Sequence, residues 1–129
     1  MAQVERSKRF GNSAEEMWRR IGDFQGADTW HPAIAGCASQ EGGEVRELAL
    51  ADGNKVVERL VAQTDNSYTY RILDAGPLPV ADYEATIAVR DDDGGSVIDW
   101  RAAFTPVGAS EADAVEVIAG IFEGGLDAL

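Results

Sequence analysis

Residues 110–129 read Ser-Glu-Ala-Asp-Ala-Val-Glu-Val-Ile-Ala-Gly-Ile-Phe-Glu-Gly-Gly-Leu-Asp-Ala-Leu. Ser110 is suited to cap a helix, with Asp113 three residues on as a weak capping-box partner. Ala114, Val117, Ile118, Ile121, Phe122, Leu126 and Leu129 recur every three or four residues and make one apolar stripe. Glu111, Asp113, Glu116, Glu123 and Asp127 fall mostly off it. Such a helix must bury its stripe, and almost everything before it reads as strand. A curved antiparallel sheet is therefore the only large partner available, which predicts an α+β fold with the sheet wrapped around one long C-terminal helix.

Working back from that helix, two strands alternate most clearly. Ile98, Trp100, Ala102 and Phe104 alternate with Asp99, Arg101, Ala103 and Thr105. Tyr83, Ala85, Ile87 and Val89 alternate with Asp82, Glu84, Thr86 and Arg90, and Asp91–Gly95 supplies the turn between the two strands. Ala75-Gly76-Pro77-Leu78-Pro79 is a rigid connection, since two prolines this close exclude a central strand. Residues 68–74 carry Tyr68, Tyr70 and Ile72 on one face; residues 55–64 carry Val56, Glu58, Leu60 and Ala62; residues 44–50 carry Arg46, Leu48 and Leu50. Turns are expected at Asp52-Gly53-Asn54 and Asp65-Asn66-Ser67.

At the other end, residues 2–10 read as a first strand of uncertain parity, because Val4 and Phe10 share a face with Arg6 and Lys8. Ser13 with Glu16 is a capping box that starts a helix through Ala14, Met17, Trp18 and Ile21, and Gly22 stops it. Phe24 falls in a polar linker. In Thr29-Trp30-His31-Pro32-Ala33-Ile34, Pro32 suits the first turn of a second short helix, with His31 pushed toward an extended conformation. The predicted order is a strand, two short helices forming a lid-like elbow, about six strands, then the long helix, all in one domain spanning 1–129.

Bulk properties limit the partners. The 129 residues carry a net charge of −12, with 45% hydrophobic and 26% charged side chains. That balance argues against nucleic acid and anionic membrane, both of which call for a basic face. The one cysteine, Cys37, cannot form an internal disulfide, and at the start of a strand it reads as a small buried hydrophobe. No apolar run approaches a membrane span, so a cytoplasmic protein, monomeric or homodimeric, without membrane insertion, is the expectation. A single histidine and a single cysteine give no metal constellation, and no metal or other cofactor is expected.

The candidate chemistry lies on two neighbouring strands. Arg46 shares a face with Leu48, and Glu58 shares one with Leu60. A two-residue Asp52-Gly53 loop would pair Leu48 with Val57 and break that parity. A three-residue loop pairs Leu48 with Glu58 and sets Arg46 on the diagonal; a loop centred on Asp52 pairs Arg46 with Glu58 directly. The pair is either a polar anchor in an apolar cavity or a structural ion pair, facing inward or, if residues 55–64 are flipped, outward. His31 is either a general acid or base at the cavity mouth or a surface histidine ahead of a helix. Tyr68, Tyr70, Tyr83, Trp100 and Phe104 form an aromatic stripe that is mostly core and would also wall a cavity; the tyrosine hydroxyls of Tyr70 and Tyr83 would need partners there. Trp30 and Phe24 are placed to close the mouth, and Ile118, Ile121 and Phe122 form the opposite wall.

Taken together, Trp30-His31-Pro32, Val45-Arg46 with Asp52-Gly53, Val57-Glu58-Arg59-Leu60, and Leu78-Pro79-Val80-Ala81-Asp82-Tyr83 followed by Trp100-Arg101-Ala102-Ala103-Phe104 resemble the helix-grip fold of the START and Bet v 1-like (SRPBCC) superfamily. The nearest branch is the bacterial polyketide cyclase/dehydrase and lipid-transport family. The likeness spans nearly the whole chain and rests on the order and spacing of these motifs, none of which is diagnostic alone. It implies a cavity between sheet and helix holding a small hydrophobic or aromatic molecule. Plant hormone receptors of the same superfamily share the Glu58-Arg59-Leu60 and Tyr83 positions, where glutamate and tyrosine line the pocket. The expected ligand-binding set is Trp30, Arg46, Leu48, Glu58, Leu60, Tyr70, Tyr83, Trp100, Phe104, Ile118 and Phe122. Three functions follow in order: a binder of a lipid- or polyketide-like ligand, a cyclase or dehydratase using Glu58 or His31 as acid and base, and an interaction module with a filled interior.

Overall fold

The computed structural model describes the whole chain, Met1–Leu129. Seven strands, β1 (Ala2–Phe10), β2 (Ile34–Gln40), β3 (Val45–Leu50), β4 (Lys55–Gln63), β5 (Ser67–Asp74), β6 (Val80–Asp92) and β7 (Gly95–Pro106), form one antiparallel sheet. Their order is β1-β7-β6-β5-β4-β3-β2. Helix α1 (Ala14–Ile21) and a 3₁₀ helix (Phe24–Thr29) separate β1 from β2, and the long helix α2 (Glu111–Asp127) closes the chain. This is the helix-grip arrangement.

Local chemistry sets the boundaries. Ser13 accepts from the Glu16 N–H at 3.1 Å, while Glu16 reaches back to the Asn12 side chain rather than to the backbone. Ser110 caps α2 in the same way, accepting from Asp113 N–H at 3.1 Å. The β6–β7 turn contracts to Asp93-Gly94, both at positive φ (49° and 85°), so Asp91 and Asp92 extend the strand.

The second short helix is not where Pro32 suggested. It begins eight residues earlier in the chain, at Phe24, because the Asp23 side chain caps Gln25 N–H at 2.9 Å. Phe24 is buried rather than part of a linker, Pro32 sits in the following turn, and β2 starts at Ile34. Cys37 is consequently mid-strand and half-buried, its thiol 3.5 Å from Gln25 Oε1. A bulge between Leu60 and Ala62 turns Ala62 outward and lets Gln63 reach the Gly22 carbonyl.

The ambiguous parity of β1 has a simple origin. Ala2, Val4 and Phe10 are buried, and the intervening Arg6 and Lys8 lie under the edge of α2, opposite Glu123 (3.5 Å) and Asp127 (3.2 Å). The helix thus packs across β1 and β7 and leaves β3, β4 and β5 uncovered along part of their inner face. Ala119 and Gly125 join Ala114, Ile118, Phe122 and Leu126 on its buried side, whereas Val117 is 41% exposed. Phe122 lies flat on Trp100, ring centres 4.3 Å apart.

Gly125 is what permits that approach. A β-carbon there would stand 2.7 Å from His31 Cδ2 and 3.0 Å from Trp100 Cζ3, whereas one at Gly120 or Gly124 would meet nothing within 4 Å. Helix propensity alone favours alanine over glycine by up to about 1 kcal/mol. Gly120→Ala and Gly124→Ala should therefore raise stability in denaturant unfolding, and Gly125→Ala should lower it, by about 1–3 kcal/mol as overpacking does. Equal gains at all three positions would show that the contact with His31 and Trp100 is not tight.

Candidate functional site

Between α2, the elbow and β3–β5 lies a cavity of about 450 Å³, within the usual range for small-molecule sites. Of its 22 lining residues, 17 are hydrophobic, so any ligand would be held mainly by apolar contact. Val117, Ile118 and Ile121 come from α2; Trp30 and His31 come from the elbow; Leu48, Tyr68, Tyr70, Tyr83 and Trp100 come from the sheet. Ala51, Asp52, Pro77 and Val117 are exposed and mark the mouth.

The polar floor is the Arg46–Glu58 pair. β3 and β4 pair in the register centred on Asp52, which sets Arg46 directly opposite Glu58 on the inner face. The two residues are 3% and 5% exposed. Arg46 Nε donates to Glu58 Oε1 at 2.8 Å, and Nη2 stands 2.7 Å from the same oxygen. Nη1 donates to the Phe24 carbonyl at 2.7 Å. The guanidinium carbon lies 4.1 Å from the Phe24 ring centre and 4.9 Å from that of Tyr70.

Burial works against charge on both partners, and they respond differently. For Arg46, burial lowers the pKa, but Glu58 and the neighbouring tyrosines outweigh it, so the net shift is upward and the guanidinium stays charged. For Glu58, burial raises the pKa, and the charge and hydrogen bond of Arg46 pull it only partly back. Arg46 has no other buried anion, and an unpaired buried cation costs several kcal/mol, which holds Glu58 as its counter-ion. Burial also raises Tyr68, Tyr70 and Tyr83, so all three keep their hydroxyl protons. Tyr70 accepts from the Trp100 indole N–H at 3.1 Å.

The other candidate acid–base group is fully engaged. His31 is 3% exposed, not a surface residue. Its Nε2–H donates to the Ile121 carbonyl at 2.8 Å, and its Nδ1 accepts from Ala33 N–H at 3.1 Å. Those two bonds fix the neutral tautomer and leave no ring nitrogen for proton transfer. His31 instead ties the elbow to α2.

Among the other expected site residues, Trp30, Arg46, Leu48, Glu58, Tyr70, Tyr83, Trp100 and Ile118 line the cavity, and Leu60, Phe104 and Phe122 do not. Phe122 is covered by Trp100, Phe104 lies against Tyr83 at 5.9 Å, and Leu60 packs into the main core beside the bulge. Phe24 closes no mouth; it is buried beneath the guanidinium. Ile34 and Leu78 line the cavity as well, outside the expected set. Their signal was masked, one by the displaced helix and the other by the proline-rich connection.

Comparison with known proteins agrees with this architecture. The family described as polyketide cyclase/dehydrase and lipid transport matches residues 1–129. The protein XoxI from Bacillus cereus is 37% identical, with TM-score 0.96 over 99% of this chain and 92% of that one. A START superfamily protein from Mycobacterium smegmatis is 14% identical (TM-score 0.80; 99% of this chain, 94% of that one). The Zhui aromatase/cyclase from a Streptomyces species is 16% identical (TM-score 0.70; 97% and 84%). The last two establish likeness of fold. No protein of curated function matches the chain.

The buried His31 makes a pH prediction. Burial lowers its pKa, outweighing the bond to Ile121 and acting with the nearby charge of Arg46. A histidine depressed in the folded state stabilises above its ordinary pKa, about 6.5, and that stability is lost as pH falls through this value toward the folded one. Glu58 has the opposite sign, being raised, but is common to both proteins compared. Unfolding free energy measured from pH 7.5 to 5.5 should fall more steeply for wild type than for His31→Gln. Parallel profiles would mean that His31 is not held neutral.

Proposed function

The chain belongs to the polyketide cyclase/dehydrase and lipid-transport family, and from that premise we propose that it binds a small hydrophobic or aromatic molecule in the cavity under α2. The observation that carries this reading is an apolar hollow of about 450 Å³ floored by one buried charge pair. A filled interior, which an interaction module would have, would leave no such space. Trp30, Leu48, Tyr70, Tyr83, Trp100 and Ile118 would form the walls, and Arg46 with Glu58 the polar end. A ligand present at a hundred times its Kd adds about 2.7 kcal/mol of stability, several degrees in Tm. A thermal-shift panel of fatty acids, sterols, aromatic compounds and phenolic polyketides should therefore contain compounds that raise the Tm of wild type. Leu50→Trp, which fills the cavity from β3, should abolish the shift while keeping the fold by circular dichroism. A panel without any shift would end this reading.

A second reading, a lyase or isomerase acting on a polyketide-like substrate, is favoured by one feature. Glu58 faces the cavity with its pKa raised by burial, as an acid–base group would. With both His31 nitrogens occupied, Glu58 would have to carry the proton alone. Turnover of any compound found by the panel should then drop at least about a hundredfold in Glu58→Gln; unchanged turnover would remove this assignment.

A further inference from the structure

The strongest polar groups of the cavity floor are tied mainly to one another. Arg46 directs Nε and Nη2 at Glu58 Oε1 and Nη1 at the Phe24 carbonyl, with aromatic rings over its faces. The indole N–H of Trp100 is taken by Tyr70, and both nitrogens of His31 are taken by backbone. Left over are the indole N–H of Trp30, buried without a partner in the elbow, and one strong acceptor in the floor. Both close approaches of Arg46 fall on Oε1, and no protein donor reaches Glu58 Oε2, on a side chain that is nine-tenths buried and lines the cavity. A carboxylate oxygen in such surroundings calls for a donor.

We propose that the cavity takes its ligand hydroxyl first: a neutral aromatic alcohol or phenol donates its O–H to Glu58 Oε2, and carboxylates are turned away. This deepens the binding reading above and rests on it. Three further observations favour a neutral ligand over an anion. The charge of the guanidinium is already matched within the floor, by Glu58 Oε1 and the Phe24 carbonyl. Asp52, an exposed carboxylate whose pKa is lowered by the Asn54 hydrogen bonds, stands at the mouth. The whole chain carries a net charge of −12. A ligand carboxylate would meet Oε2 as a like charge in a desolvated floor, whereas a hydroxyl completes it. The hydroxyls of Tyr68, Tyr70 and Tyr83 can both give and accept, so they can support the same oxygen without deciding between the two classes.

Four compounds of one ring skeleton separate the possibilities in wild-type protein by calorimetry at pH 7.5: naphthalene, 2-naphthol, 2-methoxynaphthalene and 2-naphthoate. A hydrogen bond to a charged group should make 2-naphthol bind at least about tenfold tighter than its methyl ether. It should also bind tighter than naphthalene, with 2-naphthoate the weakest of the four. Glu58→Gln, which puts an amide in place of the lone acceptor, should shrink the naphthol–ether gap. Because the comparison is made on wild type, it does not depend on that variant folding. If naphthalene or the ether binds as well as 2-naphthol, or 2-naphthoate binds best, the hydroxyl-first inference is wrong while the cavity reading stands. If none of the four binds and the broader panel is also silent, both fall. If only members of the broader panel bind and these favour carboxylates over alcohols, the inference alone falls.

Discussion

The guanidinium of Arg46 holds together three parts of the chain that are distant in sequence. It faces Glu58 across the β3–β4 hairpin, donates to the Phe24 carbonyl of the elbow, and carries the aromatic rings of Phe24 and Tyr70 on its faces. A buried ion pair gives little net stability, because desolvating two charges offsets most of their attraction. Its effect here is on specificity of arrangement. Slipping the β3–β4 register by one residue would send either charge to the other face and leave its partner alone in the core, at a cost of about 3–5 kcal/mol. The pair thereby fixes the hairpin register, and through Nη1 it fixes where the 3₁₀ helix sits against the sheet.

The position of α2 supplies the second constraint. Gly125 lets the helix come down onto His31 and Trp100, and Phe122 stacks on the same indole. His31 then bridges helix and elbow through Ile121 and Ala33. Close contact near the C-terminal end of α2, over β1 and β7, leaves the helix standing away from β3–β5 beside Val117 and Ile121. The cavity is thus the space between two points of contact, the Arg46 cluster and the Gly125 contact, each of which keeps its side of the wall in place.

How much of this was legible in the sequence depended on the range of the interactions involved. Period-two alternation in β6 and β7, the Ser13 and Ser110 caps and the stripe of α2 are local, and they could be read directly. The inward charges at 46 and 58 were also legible, although three loop lengths were open until the register fixed one. Pro32 misled because a proline-compatible start competes with a real cap: Asp23 captured the helix first. The bulge after Leu60 has no sequence signature, so Ala62 was given to the wrong face. Leu60, Phe104 and Phe122 are as apolar and inward as any lining residue. What removes them from the cavity is which neighbour covers them, a tertiary fact that side-chain pattern cannot carry. His31 shows the same limit from the other side, since both its partners are backbone groups, one of them ninety residues away.

A floor whose charged groups are held mainly by one another divides affinity from selectivity. Apolar surface contributes roughly 25 cal/mol per Å² removed from water whatever its pattern, so a lining that is 17 parts in 22 hydrophobic accepts many skeletons of suitable size. Added methylenes discriminate weakly, by about 1–3 kcal/mol, whereas a site with a buried group awaiting a partner discriminates far more strongly against a molecule that lacks the matching group. Glu58 Oε2 is the charged oxygen of that kind in this floor, held in place by an arginine that cannot turn away without abandoning both Oε1 and the Phe24 carbonyl. The same interaction that fixes the β3–β4 register therefore also leaves one rigid, directional acceptor at the bottom of a permissive cavity. Orientation of a ligand would follow from a single bond, and its size and shape from the aromatic walls.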